Sequence, residues 1–444
     1  MIFSHGLVGN RNAYSHVVGS LASHGIVVIC PEHRDGSAAV SFVRDPAAQD
    51  RYFKRSTRSV VPFVRIPHTE TAEVWDARTQ QLKIRMWELG LVHEAVLRIQ
   101  EDAPFTNMNA TTPATSLEQF KGKMNVEAPG SIIWAGHSFG AASVVQFLKT
   151  TYYADDPGVK SMPEPLFTPA SESRIRAQIT ERTPTLLLDM WCFPLLSASA
   201  RRLWELPLPV YADKPTAAGG KALLAIESEA FFKWTAHLHT TAKVLSPEPS
   251  APAVTPGSFE RPSGVRLPEP NLFYVQNSAH LNQSDFGLLF PWLTRRVFGA
   301  EEPERALRLN VRAVLQMLRL NGVPVARTWV GDLVDGADAD KLGGSSGDDG
   351  SQGPEDGVDD DKAIFDRSGA NRIEAWRWVD VVGLGPQAGE LQKLEGERRE
   401  GAAREAYNGE EEMEGEIEPH LSPHLSPHLS HTAAPATPAV AAGV

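Results

Sequence analysis

The run Gly136-His137-Ser138-Phe139-Gly140 stands between two segments of opposite character. Residues 131–135 (Ser-Ile-Ile-Trp-Ala) form a short apolar run suited to a buried strand, and residues 141–149 read as a helix. A serine on so sharp a strand-to-helix turn is forced out at the carboxyl edge of a sheet, and only small flanking residues permit the turn. Its hydroxyl then sits at a helix N-terminus, where backbone N–H groups favour developing negative charge. Five letters alone are a weak signal, but this context makes Ser138 a candidate nucleophile.

The surrounding chain repeats the same alternation. Tyr14, Val17, Val18 and Leu21 recur at helical spacing and precede the β-branched run 26–30. Leu82, Met86, Leu89, Val92 and Val96 mark a long amphipathic helix, which Gly90 interrupts at a cost of about 1 kcal/mol. Further buried strands are expected at 185–188, 223–226 and 272–276, and a last helix at 303–320, with Gly322 and Pro324 after it. Short apolar runs separated by helical patterns predict the α/β class, with a mostly parallel sheet covered by helices on both faces. Two stretches, 155–182 and 247–270, read as surface insertions.

Charge divides the 444 residues in two. The net charge is −12, yet residues 332–444 hold 25 acids against 9 bases, so residues 1–331 are nearly neutral. A nearly neutral body gives no nucleic-acid footprint. The expected organisation is therefore a catalytic domain over 1–331 and a low-complexity acidic tail, mostly disordered, over 332–444. The tail has a Gly/Asp/Ser run at 343–349, acids at 410–412 and three Pro-His-Leu-Ser copies at 419–430. One apolar island in it, 373–384 with Trp376 and Trp378, has the means to dock back as a strand or short helix. Cutting after Gly331 is expected to change little unless it does. The His-rich repeat reads as solvated rather than metal-binding, and no Cys/His spacing suggests a zinc site. No apolar run reaches the ~18 residues of a membrane-spanning helix. Two cysteines, Cys30 and Cys192, rule out a disulfide framework and suggest a reducing compartment, so the expected location is cytoplasmic.

A nucleophilic serine needs a base, an acid and an oxyanion site. His5-Gly6-Leu7 follows a short strand well upstream of Ser138, where such an architecture places its second oxyanion donor. The expected donors are the backbone N–H groups of Leu7 and Phe139, with His5 a structural loop residue. Between Ser138 and the tail lie His237, His239 and His280. His280 follows the strand at 272–276 across a short polar turn and is the expected base. His237 and His239 fall on a helical segment and read as structural. For the acid, Asp189 ends one strand, while Glu227 and Glu229 end the next. Spacing favours Asp189 only slightly over Glu227. Asp285, five residues beyond His280, reads either as a helix cap or as a supporting partner of His280.

Four segments together resemble the platelet-activating factor acetylhydrolase family, plasma and type II intracellular enzymes. They are Phe3-Ser4-His5-Gly6-Leu7 continuing to Glu32-His33-Arg34-Asp35-Gly36-Ser37; Gly136-His137-Ser138-Phe139-Gly140; Leu188-Asp189-Met190-Trp191-Cys192-Phe193-Pro194-Leu195; and Ser278-Ala279-His280 with Ser284-Asp285-Phe286. The likeness spans roughly 2–322. It implies an α/β-hydrolase fold and a Ser138–His280–Asp189 triad, raising Asp189 well above Glu227. It also implies a calcium-independent esterase without cofactor or metal, acting on short or oxidised sn-2 acyl groups of phospholipids at a lipid surface. Trp191 and Phe193, flanking the acid, are candidates for the acyl wall and equally for plain core aromatics.

The chain also departs from that family pattern. The segment before the His-Gly loop is short, so an N-terminally truncated form lacking the first strands, poorly soluble or weakly active, is expected. The insertion at 155–182 and the acidic tail are extra. Two rival readings remain: a general carboxylesterase or dienelactone-hydrolase-like enzyme, and an inactive truncated remnant or binding module.

Overall fold

The computed structural model describes residues 1–44, 58–108, 113–261, 263–298, 301–333, 357–368 and 373–385. The Gly/Asp/Ser run, the acidic run at 410–412 and the Pro-His-Leu-Ser repeat lie outside the described residues. In chain order the strands are β1 Ile2–Ser4, β2 Val40–Arg44, β3 Arg58–Pro62, β4 Trp134–His137, β5 Thr185–Leu188, β6 Leu223–Ser228, β7 Asn271–Val275, β8 Thr328–Trp329, β9 Gly357–Val358 and β10 Trp376–Trp378. Six of them form one sheet in the order β1-β4-β5-β6-β7-β10. The first five are parallel and β10 closes the edge antiparallel to β7.

Alternation along these strands divides the core into two layers, because successive side chains point to opposite faces. Ile2, Trp134 and Leu187 pack with Leu82, Met86 and Leu89 of helix α2 (Ala72–Gln100) and with Val144 and Phe147 of α3 (Phe139–Tyr152). Phe3, Ala135, Leu186 and Leu188 face the other way, onto Val17 and Leu21 of α1 (Ser15–Ser23) and Leu307, Val314 and Leu318 of the helix Pro303–Leu320. With helices on both faces of a largely parallel sheet, the architecture is of the α/β-hydrolase type.

Local details explain several boundaries. The Thr71 side chain caps α2 by accepting from the Val74 N–H. A Cβ at Gly90 would meet the Phe167 ring at 3.1 Å, so the glycine in mid-helix leaves room for that ring. The run at 26–30 forms no full strand. It makes a single parallel bridge, Ile29 to Ile2, since Pro31 has no N–H to continue a ladder. Both stretches read as surface insertions feed the core: Met162, Leu166, Ile175 and Ile179 from one, Val254, Phe259 and Leu267 from the other.

The acidic C-terminal stretch also contributes. The island around Trp376 docks as strand β10, and Trp376 stacks on Phe273 at 4.9 Å while its Nε1–H donates to the Ile364 carbonyl. Arg312 and Asp361, both with fully buried side chains, form a two-pronged pair at 2.8 and 3.0 Å.

Candidate active site

In an open parallel sheet, ligands bind outside the carboxyl ends of the strands. Here β1 ends before His5-Gly6-Leu7, β4 before Ser138, β5 before Asp189 and β7 before the turn to His280. Four of the six described non-glycine residues with positive φ lie on these loops: Val8 (59°), Ser138 (54°), Asp189 (38°) and Asn277 (55°). Backbone held in so sparse a region for non-glycine residues persists only where the surroundings enforce it.

The Ser138 turn is enforced by close packing. A Cβ on Gly136 would stand 2.5 Å from the Gly140 carbonyl carbon, and one on Gly140 would stand 2.0 Å from the Ser4 carbonyl oxygen. No larger residue fits either position. A Cβ on Gly6 would lie 3.1 Å from Ser138 Cβ, so the His-Gly loop presses directly on the serine. The Ser138 carbonyl accepts from the Trp191 N–H at 3.2 Å, tying the turn to the loop that follows Asp189.

His280 and Asp189 meet. His280 Nδ1 lies 3.0 Å from Asp189 Oδ2, and the other carboxylate oxygen accepts from the Ser228 N–H at 2.5 Å. Asp189 is fully buried, and the His280 ring stacks on Phe231 at 4.4 Å with 6° between planes. His137 closes the opposite side, its ring centroid 4.5 Å from that of His280. Tyr14 receives the Gly6 N–H on its hydroxyl, which also shares a hydrogen bond with His137 Nδ1, both at 2.9 Å. Burial, with His280 alongside, holds the His137 pKa well below the ordinary histidine value. His137, Asp189 and His280 bring one potential ligand atom each within 4.8 Å of one another, but hydrogen bonds already engage His137 Nδ1 and His280 Nδ1.

Among the described residues the Ser138 hydroxyl makes no hydrogen bond, and neither do the N–H groups of Leu7 and Phe139. Such bonds are commonly loose before substrate arrives. Glu227, beside Asp189 on the next strand, is 1% exposed and leaves Oε2 without a partner. Burial first, then the Asp189 charge, pushes its pKa far above the usual carboxylate range. Glu229 instead accepts from the Asn277 N–H and pairs with Lys233. Asp285 proves to be a cap: its two oxygens take the Ser15 and His16 N–H groups at the start of α1. His237 is buried in the helix Thr235–Val244, where its Nε2 accepts from the Cys192 N–H, and His239 lies on the same helix. Trp191 and Phe193 stack at 5.4 Å inside the core layer of α3, with Trp191 edge-on to Phe139 at 5.9 Å.

The polar layer beneath the His-Gly loop escaped the sequence reading. Arg85 is fully buried and donates to Asp35 Oδ2 (2.7 Å) and to the His5 carbonyl (2.8 Å). Its signal was present: Arg78 and Arg85 fall on the apolar stripe of α2, where a charge needs a buried partner.

The scaffold is of the α/β-hydrolase type, and Ser138, Asp189 and His280 all follow strands of its central sheet. The profile of the family "platelet-activating factor acetylhydrolase, isoform II" matches residues 1–327, and the chain belongs to that family. A putative phospholipase A2 of Schizosaccharomyces pombe is 29% identical over 340 residues, 72% of this chain and 67% of that protein. Platelet-activating factor acetylhydrolases of Cavia porcellus and Bos taurus are 36% and 33% identical over 150 and 152 residues. Each of those two matches covers 33% of this chain and 31% of the relative, so the chain spans about a third of the length of these acetylhydrolases.

Proposed function

We propose that this chain is a serine esterase that hydrolyses the sn-2 ester of phospholipids resembling platelet-activating factor, removing acetyl and other short or oxidised acyl groups. The observation that carries this reading is the 3.0 Å bond from His280 Nδ1 to the buried Asp189 carboxylate, beside the strained Ser138 turn. His280 takes the Ser138 proton as the serine oxygen attacks the ester carbonyl. The carbonyl electron pair moves onto oxygen, where the N–H groups of Leu7 and Phe139 receive it; losing one such donor costs about 3–4 kcal/mol. Collapse breaks the bond to the sn-2 oxygen, and His280 protonates the departing lysophospholipid. Water then attacks the acyl-serine, giving a proton to His280, and the bond to Ser138 Oγ breaks as His280 passes that proton to the serine and the carboxylic acid leaves. Asp189 keeps the proton on Nδ1 and stabilises the imidazolium. No cofactor enters this scheme.

The substrate class is drawn from the family and from the named relatives. Trp191 and Phe193 are assigned to the acyl side, next to Phe139. Approach to a lipid surface is supported by Leu289, Phe290 and Trp292, which are 70%, 49% and 67% exposed shortly after His280. Arg296 lies over the Trp292 ring. No helix among the described residues is long and apolar enough to cross a membrane. The test compares p-nitrophenyl acetate with a 1-alkyl-2-acetyl phosphocholine lipid. A kcat/KM at least about tenfold higher for the phospholipid is expected, a difference of the size that pocket contacts supply. Equal or better turnover of the simple ester would make the protein a general carboxylesterase.

A further inference from the structure

Leu7 N–H and the Gly6 carbonyl belong to one peptide unit, and a peptide unit is planar. Whatever grips the carbonyl therefore aims the N–H. His5 Nδ1 lies 2.8 Å from the Gly6 carbonyl oxygen, and His5 Nε2 lies 3.2 Å from the His33 backbone N. A carbonyl only accepts and a backbone N–H only donates, so the ring carries its proton on Nδ1 and donates to Gly6. Burial first, with Arg85 adding to it, lowers the His5 pKa to about 3, which keeps this single neutral form across the working range.

A second row of groups stands behind His5. His33 Nε2 lies 2.8 Å from Ser4 Oγ, and His33 Nδ1 lies 2.8 Å from Glu88 Oε2. The order serine, histidine, acid imitates a catalytic triad, but Ser4 is fully buried and no substrate reaches it. What this row does is fix His33, whose backbone N–H then holds the His5 ring.

We propose that His5 is the positioning residue of the oxyanion site, aiming the Leu7 N–H by holding the carbonyl of the same peptide, with the His33–Glu88 pair bracing it from behind. The proposal rests on the esterase reading above. It gives the His-Gly pair a task for the imidazole as well as for the backbone.

Two variants separate this from a merely structural role. In His5→Asn the side-chain amide N–H falls near the Nδ1 position; in His5→Gln it falls near Nε2 instead. With p-nitrophenyl acetate, His5→Gln should lose about 10- to 100-fold in kcat with little change in KM, as expected for a weakened oxyanion donor. His5→Asn should recover most of that loss. Equal kcat in wild type and His5→Gln, or equal losses in both variants, would overturn the proposal. Glu88→Gln gives an independent reading should a His5 variant fail to fold. Burial first, with the Asp35 charge adding to it, raises the Glu88 pKa to about 7 against the Arg34 N–H and the charges of Arg85 and Arg34. The variant should therefore fall several-fold below wild type in kcat at pH 8 and match it at pH 6, where wild-type Glu88 is itself protonated. Identical profiles would contradict the bracing role. Ser138→Ala serves as the control for the esterase reading: its retention of activity would end that reading whatever the His5 variants do.

Discussion

Asp189 and Glu227 stand next to each other at the ends of β5 and β6, yet only Asp189 reaches His280. The register pairs Leu188 with Ile226, and the Asp189 N–H donates to the Ile226 carbonyl at 2.9 Å, which turns the chain so that the carboxylate meets the imidazole. Glu227 is left buried against it, with its pKa pushed up by burial and then by Asp189. Two adjacent buried carboxyls do not both ionise at neutral pH.

The acid assignment is therefore open to a direct swap. Asp189→Asn should lower kcat by about 10⁴-fold, the size of loss seen when a triad histidine is held in the wrong tautomer. Glu227→Gln should stay within about threefold, because a neutral amide resembles the protonated acid. A dead Glu227→Gln with an active Asp189→Asn would reverse the roles.

Glu227 also predicts a pH dependence of stability. Its folded pKa lies above its unfolded value, so the native chain keeps a proton that the unfolded chain releases. The stability it contributes is complete below the ordinary glutamate pKa of about 4.3 and declines as pH rises toward the folded value. Thermal melting should show Glu227→Gln gaining on wild type between pH 5 and pH 8; a constant difference would mean that Glu227 is ionised throughout.

The Arg85–Asp35 pair should matter more to stability than any surface ion pair. Both side chains are fully buried, and removing one partner strands the other charge. Asp35→Asn is expected to cost about 3–5 kcal/mol in urea unfolding. Burial opposes ionisation of Asp35, but Arg85 and Ser37 outweigh it and the pKa stays below the ordinary value. This contribution is present above the ordinary aspartate pKa and is lost as pH falls through the lower folded one. A loss under about 1 kcal/mol would show that the pair is dispensable.

Cutting the chain after Gly331 should now be costly. It removes β10 from the edge of β7 and leaves Arg312 buried without Asp361. A fall of the melting midpoint by 10 °C or more, consistent with several kcal/mol in a chain this size, is expected. An unchanged midpoint would mean that residues 357–385 add nothing to the body.

What the sequence made legible was mostly local. The strand, turn and helix around Ser138 are contiguous, and the helix at 303–320 announces itself by its period and its Gly322 stop. The choice between Asp189 and Glu227 depended on strand order and register, which no single segment carries, and only the family resemblance separated them. β10 was visible as an apolar island, but its partner, β7, lies about a hundred residues upstream. The His5–His33–Glu88 row joins three segments whose meeting follows from the tertiary fold alone.

The central claim is that Ser138 is the nucleophile of an ester hydrolase. It is tested most directly by measuring acetate release from a 1-alkyl-2-acetyl phosphocholine lipid by the full chain and by Ser138→Ala, at matched folded concentration, with fluorophosphonate labelling in parallel. Wild-type protein should hydrolyse the lipid and take up one label. Ser138→Ala should do neither, falling by about 10⁶-fold to background. Hydrolysis by Ser138→Ala at a rate near wild type would contradict the account.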